Sequence, residues 1–271
     1  MGALRAAAFG VAALLALPAG AAPDMDHLAD VLKLDEVIAV MREEGLRYGE
    51  SLDEDMLAGT GGEYFRDRVR AIYDAEAMSG VVRSALADQM APEDIAATTA
   101  FFESDLGQRI LTLENAARKA MSDPAVEEIA RANHDDLRDS DDPRLAQVAR
   151  FVEVNELVDR NVASALNSNY HFFRGFVDGG GDRLSDDEIL AQVWAQETEL
   201  REDTENWLFG FLLMAYRPLT EDELDAYIDF SETESGQVLN GAFFEGFDEM
   251  YRTISHALGL ATSGALDGSD I

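Results

Sequence analysis

The sequence predicts an all-α protein, and three observations lead to that prediction. Apolar residues recur at helical spacing, which places them on one face of a helix, as in the series Leu28, Val31, Leu34, Val37, Ile38 and Met41. The alternation of apolar and polar residues that marks a half-buried strand is nearly absent. Residues that begin helices also recur along the chain. We therefore expect helices to form the whole core.

Capping residues and turn residues predict where those helices begin and end. Capping boxes, in which Ser or Thr precedes Glu by three positions, occur at 51–54, 185–188 and 220–223. Prolines suited to a first helical turn are Pro92, Pro124 and Pro143. Glycine-rich segments at 59–62 and 178–182 predict loops. The run Trp207–Tyr216 is apolar on every face, which predicts a fully buried central helix too short to span a membrane.

A ten-residue phrase occurs twice, at Phe101–Ile110 and again at Phe230–Leu239, 129 positions further. Repetition at fixed spacing indicates a duplicated structural unit. Upstream, Leu32–Ile38 resembles Val152–Val158 at a spacing of 120. The second unit therefore carries about nine extra residues, which we expect in the glycine loop at 178–182.

These spacings predict two tandem helical-bundle repeats related by internal duplication. The first repeat is expected at 24–140 and the second at 143–259. The acidic segment 135–142, closed by Pro143, marks the boundary between them. Residues 260–271 lose helical periodicity and are expected to form a disordered tail.

The first 22 residues are typical of a signal peptide. Arg5 precedes an apolar run at 6–17 and a small-residue cleavage site at 19–21. This pattern predicts an exported, periplasmic protein without a transmembrane anchor in the mature chain. An uncleaved N-terminal anchor is the alternative interpretation.

Composition narrows the classes of partner and site. There are 54 acidic residues against 21 basic ones, so the net charge is −33 and nucleic acid is an unexpected partner. The chain has no cysteine, which excludes disulfides, thiol nucleophiles and cysteine metal sites. The oligomeric state does not follow from the sequence.

Two segments carry a resemblance to a known family. Met90–Ala96 with Phe101–Gln108, and again Leu219–Leu224 with Phe230–Gln237, resemble the exported bacterial family catalogued as domain of unknown function 2059. This resemblance covers about 60 residues around each phrase. It implies a small all-helical domain in an exported protein, and it implies no active site.

The repeated phrase is predicted to be a corner between two helices. Its hydroxyl residue caps the next helix, its glycine permits close packing, and its phenylalanine anchors the corner in the core. The eight residues of this structural motif are Phe101, Ser104, Gly107, Gln108, Phe230, Thr233, Gly236 and Gln237. As a functional alternative, the two glutamines face a ligand.

Catalytic and metal-binding patterns are not evident. The four histidines lack metal-ligand spacing, so no metal or cofactor is predicted, and His27 and His134 are expected on exposed acidic surfaces. Among the carboxylates, Glu103 and Glu232 recur in both copies. They make a cell-wall-acting enzyme with carboxylate acid/base catalysis the alternative function. A weak divalent-cation binder, for example at 139–142, is a third interpretation.

The leading hypothesis is a non-enzymatic protein that binds a partner protein or an apolar ligand. Its predicted binding residues are Tyr170, His171, Arg174 and Trp207, in aromatic segments of the second repeat. We expect an apolar pocket or groove between the helices of that repeat, with Arg174 and His171 as its polar groups. The first repeat is expected to support it.

Overall fold

The computed structural model describes residues 24–181 and 183–269, and every regular element in those ranges is a helix. The helices are α1 (Met25–Val31), α2 (Leu34–Leu57), α3 (Gly62–Ile72), α4 (Ala75–Gln89), α5 (Pro92–Phe102), α6 (Asp105–Met121), α7 (Pro124–Leu137), α8 (Pro143–Val154), α9 (Leu157–Asp178), α10 (Asp186–Trp194), α11 (Glu197–Tyr216), α12 (Glu221–Ser231) and α13 (Glu234–Ser269). The predicted all-α class is confirmed. The predicted signal peptide at 1–22 lies outside the described residues.

Most predicted helix starts are confirmed. Ser185 and Thr220 each form a complete capping box. The predicted prolines occupy the first turns of α5, α7 and α8. The box predicted at Ser51 is wrong, because that residue lies inside α2. Leu52 and Leu57 continue the buried face of α2 beyond it, so the helix does not break there.

Two stretches of the chain share one order of helices, α1–α6 and α8–α13. In both, a tight turn with a left-handed residue joins the first two helices, at Lys33 (φ 53°) and Glu156 (φ 52°). These turns lie 123 positions apart, so the predicted upstream pairing at 120 is wrong by three residues. Helical periodicity alone permits such a slip, since apolar residues also recur three and four positions apart.

The loop between α9 and α10 has seven residues against four between α2 and α3, but α9 and α10 are each two residues shorter than α2 and α3, so the net insertion of the second stretch does not lie there. Helices α4 and α11 begin 122 positions apart, whereas α5 and α12 begin 129 apart. Helix α11 has 20 residues against 15 in α4. The insertion therefore lies in α11 and the turn after it, which corrects the prediction at 178–182.

Helix α13 is long because it lacks the break that separates α6 from α7. Pro124 opens α7, and Thr253 stands 129 positions further. Without a proline there, α13 continues for 36 residues to Ser269. The disordered tail predicted from 260 is therefore wrong for residues 260–269, and 259 is not a structural boundary. Residues 270 and 271 lie outside the described part.

The two largest hydrophobic cores cross the boundary between the predicted repeats, whereas a small third core of α9 and α10 lies within the second. One core joins buried residues of α1–α6 to a row on α13 that includes Leu239, Met250 and Leu258. A second core joins Ile110 and Ala117 of α6 to α8, α11 and α12. Each stretch thus completes the core of the other, and the two are intertwined.

Glycines permit the close packing of α9 against α13. A Cβ at Gly175 would overlap the carbonyl oxygen of His256, and one at Gly259 would overlap that of Phe172. This contact ties the C-terminal part of α13 to α9. Within the described residues, no helix combines the length and the apolar character needed to cross a bilayer.

Candidate functional site

The two repeated phrases form two helix corners, corner 1 (101–108) and corner 2 (230–237). In corner 1 the Ser104 hydroxyl accepts a hydrogen bond from the Gly107 backbone N–H at 3.0 Å. In corner 2 Thr233 accepts one from Gly236 at 3.0 Å. The predicted capping role is confirmed in both corners.

The glycines let each corner fold back on the helix before it. A Cβ on Gly107 would overlap the carbonyl oxygen of Phe101, and a Cβ on Gly236 would overlap that of Phe230. The predicted close approach is therefore present. The group that approaches is the end of the preceding helix rather than a different helix.

The glutamines bind backbone carbonyl groups. Gln108 donates to the carbonyls of Val31 and Phe102, both at 2.9 Å. Gln237 donates to the carbonyls of Val154 and Ser231, at 3.1 and 2.7 Å. These amides tie each corner to the tight turn that precedes α2 or α9. Since their N–H groups serve the scaffold, the structure does not favour a ligand-facing role.

The two corners meet through their phenylalanines. The rings of Phe101 and Phe230 stack with centroids 4.2 Å apart and planes 11° from parallel. Residues 129 positions apart thus contact each other, as expected at an axis relating two similar units. The predicted anchoring of both rings against the core is confirmed, since each packs on a buried cluster.

A cavity of about 490 Å³ lies beside this ring contact. That volume is within the range of small-molecule sites in proteins. Its walls come from both stretches: Phe102 and Leu111 from the first, Phe151, Trp207 and Phe230 from the second. Most of the residues that line it are apolar or aromatic. The predicted location of a pocket within the second repeat is therefore wrong, because that repeat does not enclose the space alone.

Helices α6 and α13 each supply a set of lining residues, and the two sets stand at corresponding positions. Four positions on α6 and the four positions 129 further on α13 all line the cavity. The α6 set is Leu111, Glu114, Asn115 and Arg118, and the α13 set is Asn240, Phe243, Phe244 and Phe247. We call these the polar wall and the aromatic wall.

Glu114 is the distinctive group of the polar wall. The Tyr216 hydroxyl donates a hydrogen bond to its carboxyl at 2.6 Å. Burial raises the pKa of Glu114 to about 7, although hydrogen bonds from Tyr216 and Tyr227 oppose the shift. Burial also raises the pKa of the Tyr216 hydroxyl well above its ordinary value, so this group remains a donor. A carboxyl that titrates near neutral pH inside a cavity is a common property of functional sites.

Two other charged groups line the cavity. Arg118 forms a two-point ion pair with Glu44 of α2, at 3.2 and 2.7 Å. Asp248 of α13 accepts a hydrogen bond from the Ser164 hydroxyl. The guanidinium is thus neutralised by protein, while the described partner of Asp248 is an uncharged hydroxyl.

The predicted binding residues are not brought together. Trp207 lines the cavity and stacks on Phe211, with centroids 5.3 Å apart. Tyr170 lies edge-on to His171, and Arg174 pairs with Asp178 and Asp186 at 3.2 and 2.7 Å. These three residues of α9 are outside the cavity lining. A binding role for them stays a prediction.

The candidate catalytic carboxylates lie on the surface. Glu103 pairs with His27 at 2.7 Å, and Glu232 pairs with Arg150 at 2.7 Å. Both carboxyl side chains are more than two-fifths exposed, at 49% and 42%. The repeat of these acids thus reflects equivalent surface ion pairs. His27 is exposed as expected, but His134 is buried and stacks on Phe209, so its prediction is wrong.

No group of three or more potential metal ligands occurs among the side chains in the described ranges.

Sequence reasoning missed Glu114, Arg118 and the aromatic wall at 243–247. A signal was available, because the 129-residue spacing continues past both corners. It aligns a polar face of α6 with an aromatic face of α13. The residues that differ between corresponding positions of α6 and α13 line the cavity. The residues that are identical in the two corners stabilise the fold.

The fold and the cavity define an all-α protein with a cavity of ligand size. A model of a family described as an uncharacterised protein conserved in bacteria, domain of unknown function 2059, matches residues 76–135. The chain resembles that family across α4–α7, the region of corner 1 and the polar wall. No curated protein and no solved structure matches the chain.

Proposed function

We propose that this chain is a non-enzymatic binding protein that holds a small, largely apolar ligand in the cavity between its intertwined stretches. The observation that carries the proposal is the cavity itself, with its aromatic wall and a few placed polar groups. Binding sites for small molecules usually combine these features. A concave, largely apolar space of this volume suits a small molecule better than a partner protein.

The same proposal includes export to the periplasm. Its support is the pattern of residues 1–22, with one basic residue, an apolar run and a small-residue cleavage site. An extracytoplasmic binding protein needs neither a cofactor nor a catalytic group. Detection of the mature N-terminus near Ala22 in a periplasmic extract would test this part, and a chain retained with its first 22 residues would contradict it.

We also infer that the two stretches arose by tandem duplication. Their corners use the same caps, the same glycine contacts and the same glutamine bonds. The surface pairs His27–Glu103 and Arg150–Glu232 add a further correspondence. Superposition of α1–α6 on α8–α13 tests this inference, and corners that fail to superimpose would contradict it.

Titration with the neutral apolar fluorophore N-phenyl-1-naphthylamine tests the binding proposal. We expect its fluorescence to increase when it enters the cavity. The variant Leu111→Trp should abolish the increase, because the larger ring fills the space. The control Ile129→Trp adds the same side chain at a position that is 70% exposed and should bind as the parent does. Equal fluorescence with Leu111→Trp would overturn the proposal.

The alternative functions have less support. Glu103 and Glu232 are engaged in surface ion pairs, and neither lines the cavity. The cation-binding interpretation at 139–142 likewise finds no ligand cluster in the described part.

A further inference from the structure

The cavity lining carries more acidic than basic side chains. Glu114, Arg118 and Asp248 are its three charged lining residues. The guanidinium of Arg118 is already paired at two points with Glu44. Two carboxyl groups then remain without a described cationic partner, so the available charge of the site is negative when both are ionised.

The cavity is also rich in aromatic rings. Nine of its lining residues are aromatic, namely Phe102, Phe151, Trp207, Tyr227, Phe230, Phe243, Phe244, Phe247 and Tyr251. The face of an aromatic ring carries a negative potential, which attracts an organic cation. Three of these rings form the aromatic wall. Phe243 and Phe247 stack on each other, and the guanidinium of Arg160 lies over the ring of Phe244, so this wall already holds one cation of the protein.

We propose that the cavity selects an organic cation, a small molecule with an apolar body and one ammonium group. The ammonium group would lie between the aromatic wall and the carboxyl of Glu114, with the apolar body against the leucines of the lining. This proposal rests on the binding function proposed above and specifies its ligand class. An anionic amphiphile is disfavoured, because the one guanidinium in the lining is neutralised by Glu44.

The ionisation of Glu114 makes the selection depend on pH. Its pKa is raised to about 7 by burial, so it is largely uncharged at pH 6 and largely ionised at pH 8. The groups that face it are the Tyr216 and Tyr227 hydroxyls from α11 and α12. Arg118 lies one turn further on α6, with Glu44 as its partner, and Asp248 lines the cavity from α13. Cation affinity should therefore increase from pH 6 to pH 8.

The long-range field of the chain favours the same class of ligand. The net charge of −33 attracts cations and repels anions before they reach the cavity. Salt screens this attraction over about 10 Å, so the contribution of Glu114 is best measured at constant ionic strength.

Competition between three ligands of one chain length tests the proposal. Decyltrimethylammonium, decanol and decanoate, each below its micelle-forming concentration, would compete with bound N-phenyl-1-naphthylamine at pH 8. We expect the quaternary cation to displace the probe at a concentration about tenfold lower than decanol. Decanoate should be the weakest. A quaternary ammonium group does not titrate, so any pH dependence belongs to the protein.

Two variants assign the selectivity to Glu114. Glu114→Gln should still bind the neutral probe but lose the preference for the cation and its increase between pH 6 and pH 8. Glu103→Gln removes an equal charge from the surface and should retain both. Retained probe binding shows that the Glu114 variant is folded.

The outcomes separate the two proposals. If decanoate or decanol displaces the probe as well as the cation does, the cavity binds ligands but the proposed ligand class is wrong. The same conclusion follows if Glu114→Gln keeps the cation preference. If the neutral probe does not bind the parent protein at all, the binding function itself is wrong.

Discussion

The two corners are built alike, whereas the two helices that leave them differ where they line the cavity. Ser104 and Thr233 cap in the same way, and both corner glycines contact the carbonyl of the preceding phenylalanine. Within two turns of each corner the similarity ends. Glu114 faces the cavity from α6, and Phe243 faces it from the corresponding position of α13.

This difference separates the scaffold from the site. The repeated residues satisfy backbone groups and hold the helix directions, which both stretches need. The differing residues line the cavity and contact other side chains rather than backbone, so each wall is free to carry its own chemistry. A cavity between two similar units with unlike walls is suited to a ligand whose two ends also differ.

Adding a methyl group at a corner glycine should have the largest effect on stability. We expect Gly236→Ala to lower the free energy of unfolding by roughly 3 kcal/mol, because its Cβ would overlap backbone. Thermal or denaturant unfolding measures this loss. The control Gly241→Ala lies on the same helix, where an added Cβ meets no atom within 4 Å. It should be neutral or slightly stabilising. Similar stability losses in both variants would contradict the corner geometry.

Ionisation of Glu114 in the polar wall should lower the free energy of unfolding above about pH 7. The folded pKa of Glu114 is raised from 4.5 to about 7, so the folded state binds more protons in that interval. Stability from this group therefore falls as the pH rises from about 4.5 to 7. Glu114→Gln should increase the free energy of unfolding at pH 8 by roughly 1–3 kcal/mol.

The same variant should match the parent near pH 4, where both side chains are uncharged. Urea unfolding at several pH values measures the difference, with Glu103→Gln as the control for net charge. A gain that is equal at pH 4 and pH 8 would show that Glu114 is not the titrating group.

The two corner glutamines should contribute slightly different amounts to the free energy of unfolding. Gln108→Ala removes two hydrogen bonds to backbone carbonyls and should cost about 1–2 kcal/mol of stability. Gln237→Ala removes the equivalent bonds but should cost less, because Gln237 is more exposed to water. Denaturant midpoints of the two variants give the comparison. A larger loss at Gln237 would indicate that corner 2 supports more of the fold than its exposure suggests.

The smallest effect is the coupling between the two corners. A double-mutant cycle on Phe101→Leu and Phe230→Leu should give about 1 kcal/mol of interaction energy, since the rings stack directly. The control cycle pairs Phe101→Leu with Phe209→Leu, which belongs to a separate stack with His134. That cycle should be additive. Additivity in the Phe101–Phe230 cycle would mean that the corners do not interact.

Local structure followed from the sequence where a residue acts on its own neighbours. The caps at Ser104, Thr233, Ser185 and Thr220 were predictable, because a hydroxyl satisfies free N–H groups three residues away. Ser51 shows the limit of such signals. Its capping pattern is intact, yet burial of Leu52 and Leu57 keeps the helix continuous.

The candidate site depended on contacts that local patterns do not encode. Glu114 resembles the many other acidic residues of the chain until the fold places Tyr216 against it, 102 positions away. The lining residues also come from both stretches. Helical periodicity does not predict which helices of one stretch pack in the core of the other. Trp207 alone among the predicted binding residues reached the cavity.

The span of α13 has a consequence for how the molecule is made. This helix supplies Leu239, Met250 and Leu258 to a core whose other members come from α1–α6, so those helices wait for one that is synthesised much later. Contacts of such sequence separation slow folding, because the chain must be closed over a long loop before it gains their stability. The first core can therefore be completed only after α13 has been synthesised, whereas the buried members of the second core end at Ile228, before that helix begins.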